Sequence, residues 1–228
     1  SFLETNLGIR MREIGCSSYQ AYYEMIVSGP DAVIEWSTLV DRLTVQETRF
    51  FRDPDAFQLV SDYVLTRPRE TLKRRPLEAW SVGCSTGEEP YTLAMLLNEC
   101  MEGLSLQPLF GVTGSDISKP AIDKAQSGLF SARKLMGMND AMKARYFRPA
   151  ERNNVEIVES IRERVCFTRL NVLDLKHAPM HGMNIIFCQN LLIYFRRWRR
   201  REIVKRLAER LAPGGVLVLG QGELTDWQ

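Results

Sequence analysis

The chain has 228 residues, 45% of them hydrophobic and 25% charged, an ordinary globular composition for one large domain or a core domain with a small companion. Its net charge of +2 excludes a global polyelectrolyte attraction to nucleic acid, so any positive field must be local. No apolar run approaches the ~20 residues that cross a bilayer, and the opening SFLETNLGIRMREIG carries neither the apolar core nor the cleavage site of a secretion signal.

The chain begins without Met and reads as starting inside a helix, so a fragment lacking its first helix or two is expected. Ser17 with Gln20 has capping-box spacing ahead of YQAYYEMIV, and Thr44 with Glu47 repeats it ahead of TRFF. Asp53 followed by Pro54 reads as an N-cap with proline at the first helical position, opening DAFQLVSDYVL. Residues 1 to about 65 are therefore expected to form a small bundle of short helices. The basic stretch TRPRETLKRRPLEAW, broken by Pro68 and Pro76, reads as a linker.

Beyond it, the β-rich runs AWSVG, LFGVTGSD, RVCFTRLN, MNIIFCQN and GGVLVLG alternate with helical text. EPYTLAMLLNECM follows the first run. Ser118 and Pro120 open a helix that Gly128 ends. REIVKRLAERLA puts Ile203, Leu207 and Leu211 on one face and stops at PGG. This alternation predicts a doubly wound α/β domain with a mainly parallel sheet. Such sheets bind ligands beyond the carboxyl ends of their strands, which directs attention to residues 83–89, Asp116, Asn171 and residues 189–190. Residues 145–165 fit the alternation less well, and an inserted hairpin that includes VEIVESI is expected there. The five cysteines are scattered without a C-x-x-C pair and read as buried reduced thiols of a cytosolic protein.

The loop GCSTGE lacks the third glycine of G-x-G-x-x-G and the lysine of a phosphate loop. Gly83 suits a tight turn, and Gly87 suits close approach of a ligand to backbone. Glu88 and Glu89 would repel phosphate, but they suit a helix N-terminus or a cationic ligand. Acids are common at helix starts for their own sake, and for one of the two that plain reading is kept. Asp116 closes the second run, placed to accept the hydroxyls of a ribose. An aspartate before a helix is often only a cap, but Ser118 already fills that place. A ribose, a permanent positive charge and no phosphate describe S-adenosylmethionine.

The stretches LTVQETRFFRDPDAF, WSVGCSTGEEPYTLAM, GSDIS, ARYF, LNVLD and CQNLLIYF together resemble the CheR-type chemoreceptor methyltransferases in order and spacing, over almost the whole chain. The resemblance implies an N-terminal all-α domain over residues 1–66 and a linker over 67–78. A Rossmann-like methyltransferase domain then spans 79–228, with a small inserted β-subdomain at about 145–168. It implies methyl transfer from S-adenosylmethionine, leaving S-adenosylhomocysteine, with no metal. The acceptor would be the γ-carboxylate of glutamates in the cytoplasmic helices of methyl-accepting chemoreceptors, for sensory adaptation in the bacterial cytoplasm. No nucleic-acid partner and no membrane insertion are implied.

By the same resemblance the catalytic candidates are Arg52 and Tyr194. Arg52 matches an arginine lying over the cofactor and the reacting carboxylate, and Tyr194 a tyrosine close to the methyl group. The cofactor-binding candidates are Gln46, Thr48, Arg52, Gly83, Glu89, Asp116, Asn171, Val172, Gln189 and Asn190. Glu89 matches a cofactor-binding glutamate, Asp116 the ribose-binding aspartate, and Asn171 with Val172 an Asn-Leu pair near the adenine. Gln46 stands where asparagine is usual and Gln189 where arginine is usual. GQGELTD departs from the family's GHSE pattern and is given no role.

A glutamate carboxylate, with a pKa near ~4.3, is ionised at neutral pH and needs no general base, which suits a motif set without a catalytic His or Cys. Another substrate, an RNA or a small molecule, or a cofactor-sensing regulatory domain are the alternatives. QNLLIY, where base-methylating enzymes often carry an Asn-Pro-Pro-Tyr type motif, argues against amine methylation of a base. His177 and His181 have a metal-ligand spacing if helical, but Pro179 and Gly182 favour a loop. FRRWRRREIVKR reads first as a solvated face opposite Ile203 and Leu207. Contact with nucleic acid or attraction to an acidic partner are its other readings, the latter shared with Arg10 and Arg12. Phe50 and Phe51 read as core or cofactor-packing residues.

Overall fold

The computed structural model describes residues 2–43 and 48–224. Gln46, the Thr44 and Glu47 capping pair and the side chain of His177 lie outside the described residues. The chain opens with three helices, α1 (Phe2–Glu13), α2 (Tyr19–Ser28) and α3 (Ala32–Leu43). They close on a small core of Met11, Tyr22 and Leu39. Arg10 grips Glu35 through two bonds, Nε to Oε1 at 2.8 Å and Nη2 to Oε2 at 2.5 Å, and the Tyr22 hydroxyl donates to the same carboxylate at 2.7 Å. The cap of α2 is Ser18 rather than Ser17: the helix starts one residue later, so it is Ser18 Oγ that reaches the Ala21 amide.

Helix α4 (Pro54–Leu65) starts as its sequence dictates, with Asp53 Oδ1 accepting the Ala56 amide at 3.3 Å. It does not join the first three helices. Phe57, Val60 and Val64 insert into the large core beside the sheet. The stretch between the two prolines is also ordered: α5 (Arg69–Arg74) buries Leu72, and β1 (Leu77–Val82) begins directly after Pro76. Its many charges conceal one apolar anchor, and that anchor is enough to seat a short helix.

The remaining elements alternate as expected. They are α6 (Glu88–Gly103), β2 (Phe110–Asp116), α7 (Lys119–Ser127), β3 (Leu129–Ser131), α8 (Asp140–Tyr146), β4 (Phe147–Ala150) and β5 (Asn154–Ile157). Then come α9 (Glu159–Arg162), β6 (Val165–Arg169), β7 (Met183–Cys188), α10 (Arg197–Ala208) and β8 (Leu211–Leu219). Five strands form one parallel sheet in the order β6-β2-β1-β7-β8. Period-two alternation splits each central strand between two cores. Ala79, Ile185 and Phe187 face α4 and α6, while Trp80, Val82, Ile186 and Cys188 face α10. The chain winds outward from β1 through β2 to β6, then returns to β7 beside β1. The switch point of this doubly wound sheet therefore lies between the ends of β1 and β7.

A second, antiparallel sheet in the order β3-β5-β4 interrupts the winding. The hairpin of β4 and β5 turns through Arg152 and Asn153, both in the left-handed region at φ 56 and 59. The segment VCFTR is not part of this insertion; it pairs with β2 as the edge of the main sheet. The last helix stops at Ala208, short of Leu211. Arg210 turns inward and donates to the carbonyls of Leu175, Ala178 and Met180, and Leu211 registers with Met183 as the first residue of β8. Satisfying those buried carbonyls outweighs one more helical turn. Of the five cysteines, Cys84, Cys100 and Cys188 are buried, whereas Cys16 is half-buried and Cys166 is exposed on the edge strand.

Candidate active site

The loop after β1 is built on β2. The Gly83 and Cys84 amides both donate to the Ser115 carbonyl, at 2.8 and 2.9 Å, and the Ser85 amide donates to Asp116 Oδ2 at 2.8 Å. Gly83 sits at φ 76, a conformation for which a side chain carries a steric cost. Gly87, at φ 97, serves packing rather than ligand approach, since a Cβ there would lie 2.8 Å from the Ala125 methyl. The second oxygen of Asp116 accepts the Ser118 amide at 2.9 Å. A carboxylate offers about four acceptor positions, so two such bonds orient Asp116 without exhausting it. Burial raises its pKa above the ordinary value, against the opposing bonds from the neighbouring amides, Ser118 before Ser85.

Two adjoining cavities open at the switch point. One, of about 360 Å³, runs between α3 and the strand ends, with Trp36, Leu39 and Val40 over Val82, Asp116 and Val172. The other, of about 260 Å³, is lined by Thr48, Arg52, Glu89 and Gln189. Gly83, Ser85, Asn190 and Tyr194 border both, so they form one cleft. A larger depression of about 770 Å³ follows the edge strand β6 and holds none of the predicted site residues.

All the predicted residues that are described border this cleft, from five separate segments. Their side chains are engaged differently. Glu89 accepts the Ser81 hydroxyl at 2.7 Å. Burial pushes its pKa up to about 8; the Ser81 bond opposes this, Glu223 adds to it, and the charge of Arg52 pulls it down. Asn171 is turned toward its own backbone, its Oδ1 accepting the Leu173 amide at 3.0 Å. Gln189 Nε2 donates to Asp53 Oδ2 at 3.2 Å, which ties the end of β7 to the start of α4. Asn190 is left-handed at φ 56, and Tyr194 is exposed at the cleft mouth. The buried Cys84 and Cys188 thiols are pushed up, first by burial and then by the nearby carboxylates, which makes them poor nucleophiles.

The sequence profile described as "CheR methyltransferase, SAM binding domain" matches residues 46–227. The chain belongs to the CheR methyltransferase family. It is a methyltransferase that uses S-adenosylmethionine. It is 34% identical over 209 residues to "Chemotaxis protein methyltransferase 2" of Vibrio cholerae, covering 90% of this chain and 70% of that one. It is 30% identical over 218 residues to "Chemotaxis protein methyltransferase" of Escherichia coli K12, covering 94% and 73%. To the protein of that name from Borreliella burgdorferi it is 25% identical over 224 residues, covering 97% and 79%.

In and around this CheR cleft the structure adds residues that motif reading passed over. Trp36, Leu39 and Val40 roof the apolar cavity, and only the helical pattern of α3 hints at them. Glu223, in the GQGELTD stretch, is 2% exposed; its two oxygens accept the Leu192 amide at 2.8 Å and the Gly220 amide at 2.9 Å. Glu88, taken as a plain helix-terminal acid, is fully buried and lies 2.9 Å from Lys134 Nζ. His181 lies away from the cleft, ahead of β7, and rests against the Arg210 guanidinium at 3.0 Å.

Proposed function

We propose that this CheR-family enzyme methylates the γ-carboxylate of glutamates in the cytoplasmic helices of methyl-accepting chemoreceptors. One observation carries the reading. Arg52 and Tyr194 flank the cavity that holds Glu89, and the described residues lining it include no histidine and a single, buried thiol. Its one lining acid among the described residues, Glu89, accepts the Ser81 hydroxyl and is assigned to the cofactor's ammonium, so on this reading no base remains there for an amine or alcohol. A glutamate side chain arrives already ionised and needs only to be oriented. The names of the relatives, chemotaxis methyltransferases, agree with a receptor substrate.

The cleft fits S-adenosylmethionine. The apolar compartment under Trp36 and Val40 suits an adenine, with Val172 and the Asn171 backbone at its edge. Asp116, oriented by two amides, suits the ribose hydroxyls. Glu89 is a buried acid whose raised pKa an adjacent ammonium would lower. Thr48, Gln189 and Asn190 border the same compartment and suit the polar methionine end. When bound, S-adenosylmethionine supplies an electrophilic methyl group. Arg52 then orients the incoming carboxylate, and Tyr194 fixes the second oxygen or walls the approach. Arg52 acts by position, because a tight pair would weaken the nucleophile it holds.

The test is transfer of labelled methyl to a receptor cytoplasmic fragment. Label released by mild base as methanol is the expected product of a glutamyl ester. Base-stable label, or label appearing only on RNA or small molecules, would overturn the assignment. On this reading the enzyme works in the cytoplasm, where those receptor helices lie.

A further inference from the structure

We propose that Lys134, in the 3-10 turn that follows β3, is a positioning residue for the loop carrying Thr48 and Arg52, and that Glu88 is the anchor from which it acts. The inference rests on the proposed function for what that loop does. Lys134 Nζ lies 2.9 Å from Glu88 Oε1 and donates to the Thr48 carbonyl at 2.5 Å. Glu88 is fully buried, and its other oxygen takes the Thr86 hydroxyl at 2.7 Å. The Lys134 ammonium carries three donors, so it reaches the Thr48 carbonyl while it neutralises the buried Glu88 carboxylate.

The loop is tethered at a second point. The Phe51 amide donates to Thr92 Oγ1 at 3.3 Å, and Thr92 in turn donates to the Glu88 carbonyl at 2.7 Å. Phe50 is clasped between Phe130 and Phe147 of the inserted sheet, each ring 5.0 Å away, edge to face. Phe51 is held at φ 51, a left-handed conformation costly for an aromatic residue and sustained only by such contacts. Both tethers lead to Glu88 in the first turn of α6, the second by way of Thr92 one turn further on, and that first turn also carries Glu89. One helical turn therefore sets Glu89 on one side of the cavity and Thr48 with Arg52 on the other. Displacement of a positioning group by ~1 Å is enough to cost ~100-fold in rate.

A buried charge pair also stabilises a fold, and the two roles separate in a pair of variants. Lys134→Met leaves Glu88 buried without its cation, which destabilises the protein. The double variant Lys134→Met with Glu88→Gln removes the orphaned charge but still lacks a donor for Thr48. Melting temperature, calorimetric binding of S-adenosylhomocysteine, tryptic cleavage after Arg49 and Arg52, and methyl transfer are measured for both. The expected result is recovery of melting temperature in the double variant, while affinity and kcat/KM stay about tenfold or more below wild type and loop cleavage stays fast. Recovery of affinity and protease resistance in the double variant overturns the proposal and leaves Lys134 a charge partner only. Wild-type affinity and resistance in Lys134→Met overturn it as well. Binding and proteolysis need no methyl acceptor, so their outcome is separate from whether chemoreceptors are the substrate.

Discussion

Glu223 Oε1 accepts the amide of Leu192 at 2.8 Å, while Oε2 of the same carboxylate accepts the Gly220 amide at 2.9 Å. One buried acid after β8 thus clamps the segment after β7, and that segment carries Gln189, Asn190 and Tyr194 to the cleft. Arg200 reinforces the clamp, donating to the carbonyls of Phe195 and Glu223 at 2.8 and 3.2 Å.

Glu223→Ala leaves two amides without their acceptor. Each buried orphan costs about 1–3 kcal/mol, so the melting temperature should fall by several degrees. If the clamp sets Tyr194, kcat should fall further than S-adenosylhomocysteine affinity. A variant that melts lower yet turns over normally would confine Glu223 to stability.

Arg52→Ala tests the carboxylate-orienting role. The residue is exposed, so thermal stability should hold. Methyl transfer should fall by about 100-fold or more, mostly in kcat, because orientation is what is lost. Wild-type incorporation of labelled methyl would remove Arg52 from the mechanism.

Glu89 makes a prediction with a definite sign. Its pKa in the free protein is pushed up to about 8, above the 4.5 of an ordinary glutamate. The folded state therefore holds a proton that the unfolded state has released. The acid costs the free protein stability as pH rises from 4.5 toward about 8. An ammonium bound beside it favours the carboxylate, so binding releases a proton and affinity should climb between about pH 6 and 8. Calorimetry of S-adenosylhomocysteine in buffers of different ionisation enthalpy reads that proton directly. Glu89→Gln should bind weakly, lose the proton release, and melt with less dependence on pH.

Trp36→Ala tests the roof of the apolar cavity. Trp36 is 53% exposed, so the fold should survive its loss. Uncovering an adenine-sized apolar surface should weaken S-adenosylhomocysteine by about tenfold and raise KM for the cofactor, with kcat little changed. An unaltered affinity would place the adenine elsewhere.

Much of this was legible in the sequence because it is local. Asp53 before Pro54, Ser118 before Pro120 and Gly128 at φ 64 are helix ends written in two or three adjacent residues. The alternation of apolar runs and helices specifies the doubly wound sheet. The rule that ligands sit beyond strand ends then placed Gly83, Glu89, Asp116 and Asn190 near one point. What stayed illegible depends on partners distant in the chain. Leu72 makes a helix of a stretch that reads as a linker only because a core lies beside it. Arg210 ends α10 early only because three carbonyls from residues 175–180 are waiting for donors. The two acids of GEE divide in the same way. As neighbours on a helix they point about 100° apart, which the sequence already implies. That Glu89 meets the cavity while Glu88 meets Lys134, 46 positions away, follows from where the inserted sheet folds back. Burial then decides their chemistry, because a carboxylate out of water must find a cation or keep its proton.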